Sequence, residues 1–226
     1  MMDYDVAVIG GGAAGLMCAI EAGKRGRRVL VIEHSDRVGK KILISGGGRC
    51  NFTNLNVTPE NFLSNNPHFC KSALARYTQW DFIAMVERHG IAYHEKELGQ
   101  LFCDQSARQI VQLLTDECSQ AGVRITTDCS VNGVERGSNG FVVKSNRGSV
   151  EAASLVVACG GLSVPKMGAT AFGYELAKKF GHSVVPTRAG LVPLIFSADD
   201  LVRYKDLSGV SLPVQVECRR QSFANA

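Results

Sequence analysis

Apolar runs alternate with amphipathic stretches along most of the chain. The run DVAVI at 5–9 is followed by an amphipathic stretch that ends at Gly26, and the next apolar run is RRVLVIE. Because glycine often ends a helix in the left-handed conformation, this order predicts a helix followed by a strand. The same order occurs three more times, at Gly90 (before IAYHE), Gly122 (before VRITTD) and Gly181 (before HSVVPT). The repeated alternation predicts an α/β fold with a substantially parallel sheet.

Three further patterns complete the predicted elements. Short alternating runs between 129 and 150, divided by glycine and asparagine turn signals, predict a small β-meander. It leads into SLVVACGG at 154–161, a nearly continuous apolar run of the kind that is buried on both faces of a sheet. Helical spacing predicts a core face formed by Trp80, Phe82, Ile83 and Val86. From about 191 onward the pattern is strand-like and contains two prolines.

The composition predicts a folded chain and limits its partners. Of the 226 residues, 45% are hydrophobic and 20% are charged, which is close to the average for globular domains. The formal net charge of +4 is spread along the chain without a block of like charges, so we expect no nucleic-acid partner.

The cysteines and the N-terminus predict the location. The eight cysteines include no CxxC pair and no Cys/His cluster at zinc spacing, which favours a reduced cytoplasmic interior and no metal site. The N-terminus MMDYDVAVIG has an acid where a signal peptide has basic residues. No apolar stretch approaches the roughly 20 residues of a membrane span. We therefore expect a soluble, cytoplasmic protein with no membrane partner.

The stretch GGGAAG after the first strand fits a dinucleotide-binding turn. Gly10 permits the tight turn, Gly12 lets the backbone approach a pyrophosphate, and Gly15 lets helix and sheet pack closely. The helix that begins around Ala13 and Ala14 then presents its N–H groups and positive dipole to the phosphates.

Glu33 closes the second strand, where a carboxylate can accept hydrogen bonds from a ribose diol. Its charge would repel a 2′-phosphate, which disfavours NADP at this first site. The glycines and Glu33 alone do not distinguish FAD from NAD. The alternative interpretation is that no ligand binds here: the glycines form only a structural turn, and Glu33 is an ordinary acidic residue on the surface.

A second glycine run lies in GKKILISGGGRCNFTN, at 39–54. Successive N–H groups of Gly46, Gly47 and Gly48 can form a nest for anionic or carbonyl oxygens. Basic side chains surround the run and two amides follow it: Lys40, Lys41, Arg49, Asn51 and Asn54. The other interpretation is a mobile, solvated loop.

In these motifs the chain resembles the bacterial flavoproteins of the BaiN/YhiN type, within the FAD oxidoreductases that have two dinucleotide-binding domains. The match is carried by VIGGGAAGLMCA (8–19), VLVIE (29–33), GKKILISGGGRCNFTN (39–54), VVACGGLSVPKMGATAFGYELAKKFGH (156–182) and PTRAGLVPL (186–194). It covers essentially the whole chain from residue 4 onward. The resemblance implies a Rossmann-like FAD/NAD(P)-binding domain with a parallel central sheet and a small β-meander.

The resemblance also implies FAD bound in an extended form across the sheet. The first glycine loop would hold the pyrophosphate, and Glu33 would hold the adenosine ribose. The second glycine loop would run beside the ribityl chain and the flavin, with contacts from Lys41, Ser45, Gly46, Gly47, Gly48, Arg49, Cys50 and Asn51. The strand around Val131 is similar to the one whose backbone recognises adenine.

The strand-end motif of the family usually reads alanine, threonine, glycine, glycine. In this chain Ala158, Gly160 and Gly161 match it, and Cys159 replaces the threonine. The replacement removes or weakens any hydrogen bond from the threonine hydroxyl, although the backbone can follow the same turn. We expect the Cys159 thiol to be buried and to have no redox role.

Members of that family look nearly twice as long as this chain. After the LVPL segment they carry an inserted β-rich substrate domain and then return to the FAD domain. The resemblance therefore implies that residues 1–190 form an FAD-binding domain without its return segment. It also implies that residues 191–226 begin a β-rich domain that is truncated.

No residue of the sequence can be assigned as the catalytic acid or base, because flavin enzymes take most of their chemistry from the cofactor. Cys50 could supply a thiolate beside the flavin, favoured by Arg49, or could be a packed thiol. Arg49 could stabilise negative charge on the reduced flavin or the substrate. His68, His89 and His94 are interpreted as surface or satisfied core groups.

The primary hypothesis is an FAD-dependent oxidoreductase that uses NAD(P)H as a transient reductant and acts on a small organic substrate. One alternative is an NAD-only Rossmann dehydrogenase, for which the second glycine loop has no clear use. Another is a catalytically inactive, truncated FAD-binding module. An RNA-modifying flavoprotein shares the FAD fold, but the charge distribution gives it no support.

Overall fold

The computed structural model describes residues 2–164, 167–190, 195–207, 209–210, 214–218 and 221–225. The chain divides into two compact units, Met1–Val184 and Val185–Ala226. The expected domain boundary between residues 190 and 191 stays a prediction.

The first unit alternates strands and helices over most of its length. Its strands are β1 (Tyr4–Ile9), β2 (Val29–Ile32), β3 (Asn51–Asn54), β4 (Tyr93–Glu95), β5 (Gln100–Cys103), β6 (Arg124–Thr126), β7 (Val131–Arg136), β8 (Phe141–Ser145) and β9 (Gly148–Val157). Its helices are α1 (Ala13–Lys24), α2 (Lys40–Ile44), α3 (Lys71–Arg76), α4 (Gln79–Arg88), α5 (Arg108–Gln120) and α6 (Phe172–Lys179).

The main sheet has the strand order β6-β2-β1-β9-β8-β7. The pairs β6–β2, β2–β1 and β1–β9 are parallel, whereas β9–β8 and β8–β7 are antiparallel. The residues of β9 that pair with β8 end at Ala152, and those that pair with β1 run from Ala152 to Val157. One long strand thus joins the meander to the parallel half, and the predicted Rossmann-like α/β class with a small meander is confirmed.

Two hydrophobic clusters cover the two faces of this sheet. Val8 and Val31 point to the cluster that contains residues of α1, α4 and α5, while Ala7 and Leu30 point to the cluster that contains Leu176 of α6. All four residues of β2 are buried. Buried parallel strands need apolar residues on both faces, which explains the uninterrupted VLVI run.

The four predicted transitions from a helix through glycine to a strand have different outcomes. All four glycines have positive φ, and Gly26 and Gly122 lead directly to the parallel strands β2 and β6. After Gly90 the strand β4 instead joins a separate antiparallel sheet of order β3-β5-β4. After Gly181 no strand forms between residues 182 and 189, so that predicted strand is wrong. The glycines therefore mark correctly where the helices end. The sequence of the following β-rich segment does not determine whether it forms a strand or which strand it pairs with.

The predicted core face of α4 needs one correction. Ile83 and Val86 are buried, but 58% of the Trp80 surface is exposed. On a helix of 3.6 residues per turn, Trp80 lies about 60° from Ile83 and further from Val86, so it falls outside the buried stripe.

The second unit contains a helix and a hairpin among its described residues. Helix α7 (Ala198–Tyr204) begins after Ser197, whose hydroxyl oxygen accepts a hydrogen bond from the Asp200 N–H. Strands β10 (Val214–Cys218) and β11 (Gln221–Asn225) pair antiparallel. Across the described parts of both units, no helix is long and apolar enough to cross a membrane.

Candidate dinucleotide-binding site

The first glycine loop, residues 10–15, is built by close approach of its own backbone. Gly10 has φ +109°, and a Cβ there would lie 2.5 Å from the Ala158 carbonyl oxygen. A Cβ at Gly15 would overlap the Gly10 carbonyl oxygen. Glycine at these positions therefore lets β1, β9 and α1 meet, as the sequence predicts.

Gly12 differs from its neighbours because its missing side chain faces open space. No protein atom lies within 4 Å of the position that a Cβ would take. Gly12 is also the N-cap of α1, and its carbonyl accepts the N–H of Leu16. The N–H groups at the start of an α-helix have no partner within the helix, and together with the helix dipole they favour an anion. The open space at Gly12 thus lies beside a helix end whose N–H groups and dipole favour an anion.

Glu33 is held firmly beside this loop, with only 7% of its surface exposed. Its Oε2 accepts the Gly11 N–H at 2.7 Å, and its Oε1 accepts the Ser35 N–H at 2.9 Å. The Nδ1 atom of His34 lies 3.0 Å from Oε1. An ionised carboxylate has about four acceptor sites, so capacity remains for a ribose hydroxyl.

The second glycine loop, residues 45–50, is built by backbone handedness. Gly46, Gly47 and Gly48 have φ values of +55°, +64° and +85°. The segment before α5 supports the loop, because the Arg49 carbonyl accepts the Cys103 N–H and the Gly48 carbonyl accepts the Ala107 N–H. The loop is therefore a turn held by backbone hydrogen bonds, in which Gly46, Gly47 and Arg49 are exposed to solvent.

Cys50 follows these glycines with φ +54° and is buried. Burial raises the pKa of the Cys50 thiol, and a hydrogen bond with Ser45 offsets part of that rise. The thiolate alternative is therefore disfavoured, and Cys50 is a packed thiol.

Lys41 reaches from α2 to the strand-end motif after β9. Its Nζ lies 3.3 Å from the Ser163 Oγ, and a Cβ at Gly160 would lie 2.8 Å from the same Nζ. Among the described residues it forms no ion pair with a carboxylate. Lys41 thus adds a positive charge opposite the first glycine loop.

A cavity of about 450 Å³ connects these features, within the range of small-molecule sites. The predicted site residues that line it are Gly10, Gly12, Ala13, Ala14, Glu33, Lys41, Ser45, Cys50, Asn51, Ala158 and Gly160. The predicted residues outside its lining are Gly15, Gly46, Gly47, Gly48, Arg49, Val131 and Gly161. The structure therefore places the flanks of the second glycine run at the cavity and leaves the three glycines outside it.

Two of the predicted residues outside the lining still lie next to it. Gly15 supports the first loop from behind, as described above. Val131 begins β7, two residues after Cys129, whose N–H donates to the Glu33 carbonyl. Arg49 is exposed and lies outside the lining.

Sequence reasoning missed an apolar wall and a polar segment. The polar segment follows Glu33 directly, which was a usable signal, and contributes His34, Ser35 and Arg37. The wall comes from α1, β3, α4 and α5 and contains Met17, Phe52, Phe82, Ile110 and Leu114. No local pattern distinguishes the wall residues from ordinary core residues. Cys159 also lines the cavity and is only partly buried, so the expectation of a buried thiol is not met.

The histidines away from the cavity are accounted for. His89 lies 3.0 Å from Glu117, and His94 lies 2.7 Å from Asp104. His68 is exposed. Glu117 also pairs with Lys24, and hydrogen bonds from Lys24 and then His89 lower the pKa of its carboxyl. His89 thus links α4 to α5, in agreement with its interpretation as a satisfied group.

Comparison with known proteins identifies relatives over almost the whole chain. The profile described as "HI0933-like protein Rossmann domain" matches residues 4–212. The protein named ribosomal RNA dihydrouridine synthase from Escherichia coli K12 is 54% identical over 213 residues, which cover 94% of this chain and 53% of that protein. Its namesake from Haemophilus influenzae is 53% identical, with 92% and 53% covered. The chain therefore spans about half the length of these curated relatives.

A more distant relative and one solved structure are also similar. The 3-dehydro-bile acid delta(4,6)-reductase of Clostridium scindens is 30% identical, over 84% of this chain and 47% of that protein. Glycine oxidase from Geobacillus kaustophilus superposes with a TM-score of 0.49 at 17% identity, over 81% of this chain and 60% of that chain.

The names of the relatives from Escherichia coli and Haemophilus influenzae contradict the expectation of no nucleic-acid partner. The spread-out charge led us to expect no nucleic-acid partner, but both proteins are named for ribosomal RNA, so that expectation is wrong. A block of like charges is typical of tails that bind nucleic acid along its length. An enzyme that acts on one base needs only a few local cations, which a count along the sequence does not detect. The chain belongs to the HI0933-like Rossmann family, in the BaiN/YhiN-like flavoprotein group.

Proposed function

We propose that this chain is the FAD-binding part of an NAD(P)H-linked oxidoreductase that reduces the uracil ring of uridine in ribosomal RNA. The observation that carries the proposal is the cavity joining the α1 N-terminus, Glu33 and the second glycine loop, in a chain 54% identical to a protein named for this reaction. A cytoplasmic location is part of the same proposal.

The residues present fit FAD. Open space at Gly12 leaves room for a pyrophosphate against the first N–H groups of α1. Glu33 has acceptor capacity for a ribose hydroxyl, and Val131 is proposed to lie on the adenine side. The cavity lining also includes residues at the two ends of the second glycine loop, Ser45, Cys50 and Asn51. A site for NAD alone has no clear use for this part of the lining, which favours FAD over an NAD-only site.

When bound, FAD would supply the hydride chemistry, and the protein would supply binding, orientation and electrostatics. The α1 N–H groups would hold the phosphates and Glu33 would orient the ribose. The apolar wall that includes Phe52 and Phe82 would exclude water. Lys41 would stabilise negative charge that develops at the site, because it has no carboxylate partner among the described residues.

The proposed net reaction is the two-electron reduction of the uracil ring by NAD(P)H. The C5=C6 double bond of uracil gains one hydride equivalent and one proton, which gives 5,6-dihydrouracil. The hydride originates from NAD(P)H, which is oxidised to NAD(P)⁺, and the proton originates from solvent.

A second candidate is reduction of a small organic molecule. The 30% identity to a protein named as a bile acid reductase favours it, but the higher identity to the ribosomal RNA enzymes favours RNA. A third candidate is a catalytically inactive FAD-binding module.

The first experiment is incubation of the purified chain with excess FAD, followed by removal of free cofactor and measurement of the visible flavin spectrum. We expect stoichiometric flavin. The variant Glu33→Gln keeps the shape of the side chain but loses its charge, and it should retain less flavin than the parent. A folded, colourless parent chain would contradict the FAD assignment for these residues.

The second experiment mixes the FAD-loaded chain anaerobically with NADH or NADPH and with ribosomal RNA that lacks dihydrouridine. Bleaching of the flavin band measures reduction, and mass spectrometry of the digested RNA measures uridine that has gained two hydrogens. Bleaching without modified uridine would favour a different substrate. Flavin binding without bleaching would favour the inactive module.

A further inference from the structure

A long segment connects β3 to α4, and the elements at both of its ends contribute residues to the cavity. It comprises residues 56–78 and is called the 56–78 loop here. The strand before it contributes Asn51 and Phe52 to the cavity, and the helix after it contributes Phe82. The Gln79 side-chain amide donates to the Leu55 carbonyl at 2.9 Å and closes the base of the loop. The base of the loop therefore lies beside the wall of the proposed flavin site.

The 56–78 loop is ordered by its own hydrogen bonds. The Asn61 side chain accepts the Thr58 N–H at 2.8 Å, and the Asn66 side chain accepts the His68 N–H at 3.1 Å. The Cys70 thiol contacts the Pro59 carbonyl at 3.8 Å. These hydrogen bonds, together with helix α3 (Lys71–Arg76), give the loop a defined conformation.

The loop turns large apolar side chains toward solvent. Phe69 is 82% exposed and Leu63 is 95% exposed, and Phe62 is about half exposed. Neither phenylalanine has an aromatic partner among the described residues. Three large apolar side chains exposed within eight residues of sequence are more than scattered single positions, and they indicate an interaction surface.

The charges of the loop are mainly positive. No acidic residue lies between Glu60 and Asp81, while Lys71 and Arg76 are exposed and form no ion pair among the described residues. Glu60, inside the loop, and Asp81, after it, both form local hydrogen bonds. Hydrogen bonds from its own backbone and then from Thr58 lower the pKa of Glu60, with a smaller effect from Lys71. Asp81 caps the start of α4.

We propose that the 56–78 loop is an RNA-contact surface, on which Phe62 and Phe69 stack unpaired bases while Lys71 and Arg76 contact phosphates. Exposed rings combined with cations and few acids are the features that bind single-stranded nucleic acid. Sequence-specific enzymes on RNA act at unstacked bases, and aromatic side chains hold such bases. The inference rests on the proposed function, because it names the surface that would bring the RNA to the cavity.

The test measures fluorescence anisotropy of a labelled, uridine-rich single strand of about 12 nucleotides, a length typical of such sites. The protein is the full chain loaded with FAD. The Phe69→Ala variant should bind about tenfold more weakly, because one base loses its stacking partner. Phe69→Trp should restore the affinity. Phe69→Leu should remain as weak as Phe69→Ala, because leucine keeps apolar area but has no π-face.

The two cations are tested through salt dependence. The variants Lys71→Gln and Arg76→Gln should each reduce the slope of log affinity against log salt by about 0.7, the value for one phosphate contact on a single strand. Arg136→Gln is the matched control, because Arg136 is an exposed arginine on β7, away from the loop in the sequence. The control should keep the parent slope.

The outcomes separate this inference from the proposed function. Unchanged affinity in Phe69→Ala, together with unchanged slopes in both cation variants, would overturn the RNA-contact surface even if the parent binds RNA and flavin. Parent-like affinity in Phe69→Leu would also overturn it and would favour an apolar protein partner. No RNA binding by a flavin-loaded parent would overturn the surface and leave the FAD assignment standing.

Discussion

Both glycine loops need glycine, but the first needs it at Gly10 and Gly15 because backbone atoms approach closely, and the second needs it because its backbone is left-handed. In the first loop, a Cβ at Gly10 or Gly15 would strike backbone atoms. In the second loop, a Cβ at Gly47 would meet no protein atom within 4 Å, but the backbone is left-handed there. Close approach is a steric requirement, whereas handedness is a conformational one. The same residue type therefore has different energetic consequences in the two loops.

The largest effect is expected for Gly15→Ala. The added methyl would overlap the Gly10 carbonyl oxygen, and both groups belong to rigid backbone. We expect a loss of at least about 3 kcal/mol in the free energy of unfolding, equivalent to a fall in Tm of roughly 6 to 12 °C. Thermal unfolding followed by circular dichroism measures it. A loss below about 1 kcal/mol would show that the first loop is not limited by packing.

Gly46→Ala should have the next largest effect, since it combines both requirements. Its φ is +55°, and a Cβ would lie 2.6 Å from the Phe102 ring. We expect a loss of about 2 to 3 kcal/mol in urea unfolding. In a Phe102→Leu background the contact with the ring should disappear, whereas the left-handed backbone and a contact of 2.8 Å with the Asn51 backbone nitrogen remain. The same substitution should therefore cost about 1 kcal/mol less than in the parent background. Equal costs in the two backgrounds would contradict the steric contribution.

Gly47→Ala isolates handedness, because there is space for the methyl group. We expect a loss of about 1 kcal/mol, the cost of a left-handed alanine. Gly47→Asn should lose less, because asparagine tolerates this conformation better than other side chains. If alanine and asparagine destabilise the chain equally, the loop is limited by something other than φ.

Gly12→Ser should have the smallest effect on stability and a large effect on ligand binding. Serine is a good N-cap, so we expect a change within about 0.5 kcal/mol. Its side chain would enter the open space and its hydroxyl would compete for the helix N–H groups, so affinity for FAD should fall at least about tenfold. Equilibrium dialysis against FAD measures it. Parent-like affinity would contradict phosphate binding at this position.

The parts predicted correctly from sequence are those whose partners are close in the chain. The turn from Gly10 to Gly15 and the strand β2, which ends just before Glu33, belong to one βαβ unit, so local pattern and tertiary packing agree. The position of the second glycine loop depends instead on hydrogen bonds from Cys103 and Ala107, far along the chain. No local pattern reports such contacts, which explains why the glycines were expected in the lining and lie outside it.

The apolar wall and the surface tryptophan were missed for a related reason. Ile110 and Leu114 of α5 have the same amphipathic spacing as any core residue, and only the packing of α5 beside α1 turns them toward the cavity. Helical spacing predicted Trp80 on the core face with Ile83 and Val86, but this spacing does not define the edge of the buried stripe. Hydrophobicity alone cannot decide between a core position and an interaction surface.

The hydrogen bonds to Glu33 have a consequence for how a ligand would associate. A free glutamate side chain gives up roughly 1.5 to 2 kcal/mol of rotamer entropy when it is immobilised. Because Gly11, Ser35 and His34 already hold this carboxylate, that cost belongs to folding rather than to association. A nucleotide that enters the cavity meets a preorganised acceptor. Recognition of the ribose at this position should therefore proceed without an induced-fit step.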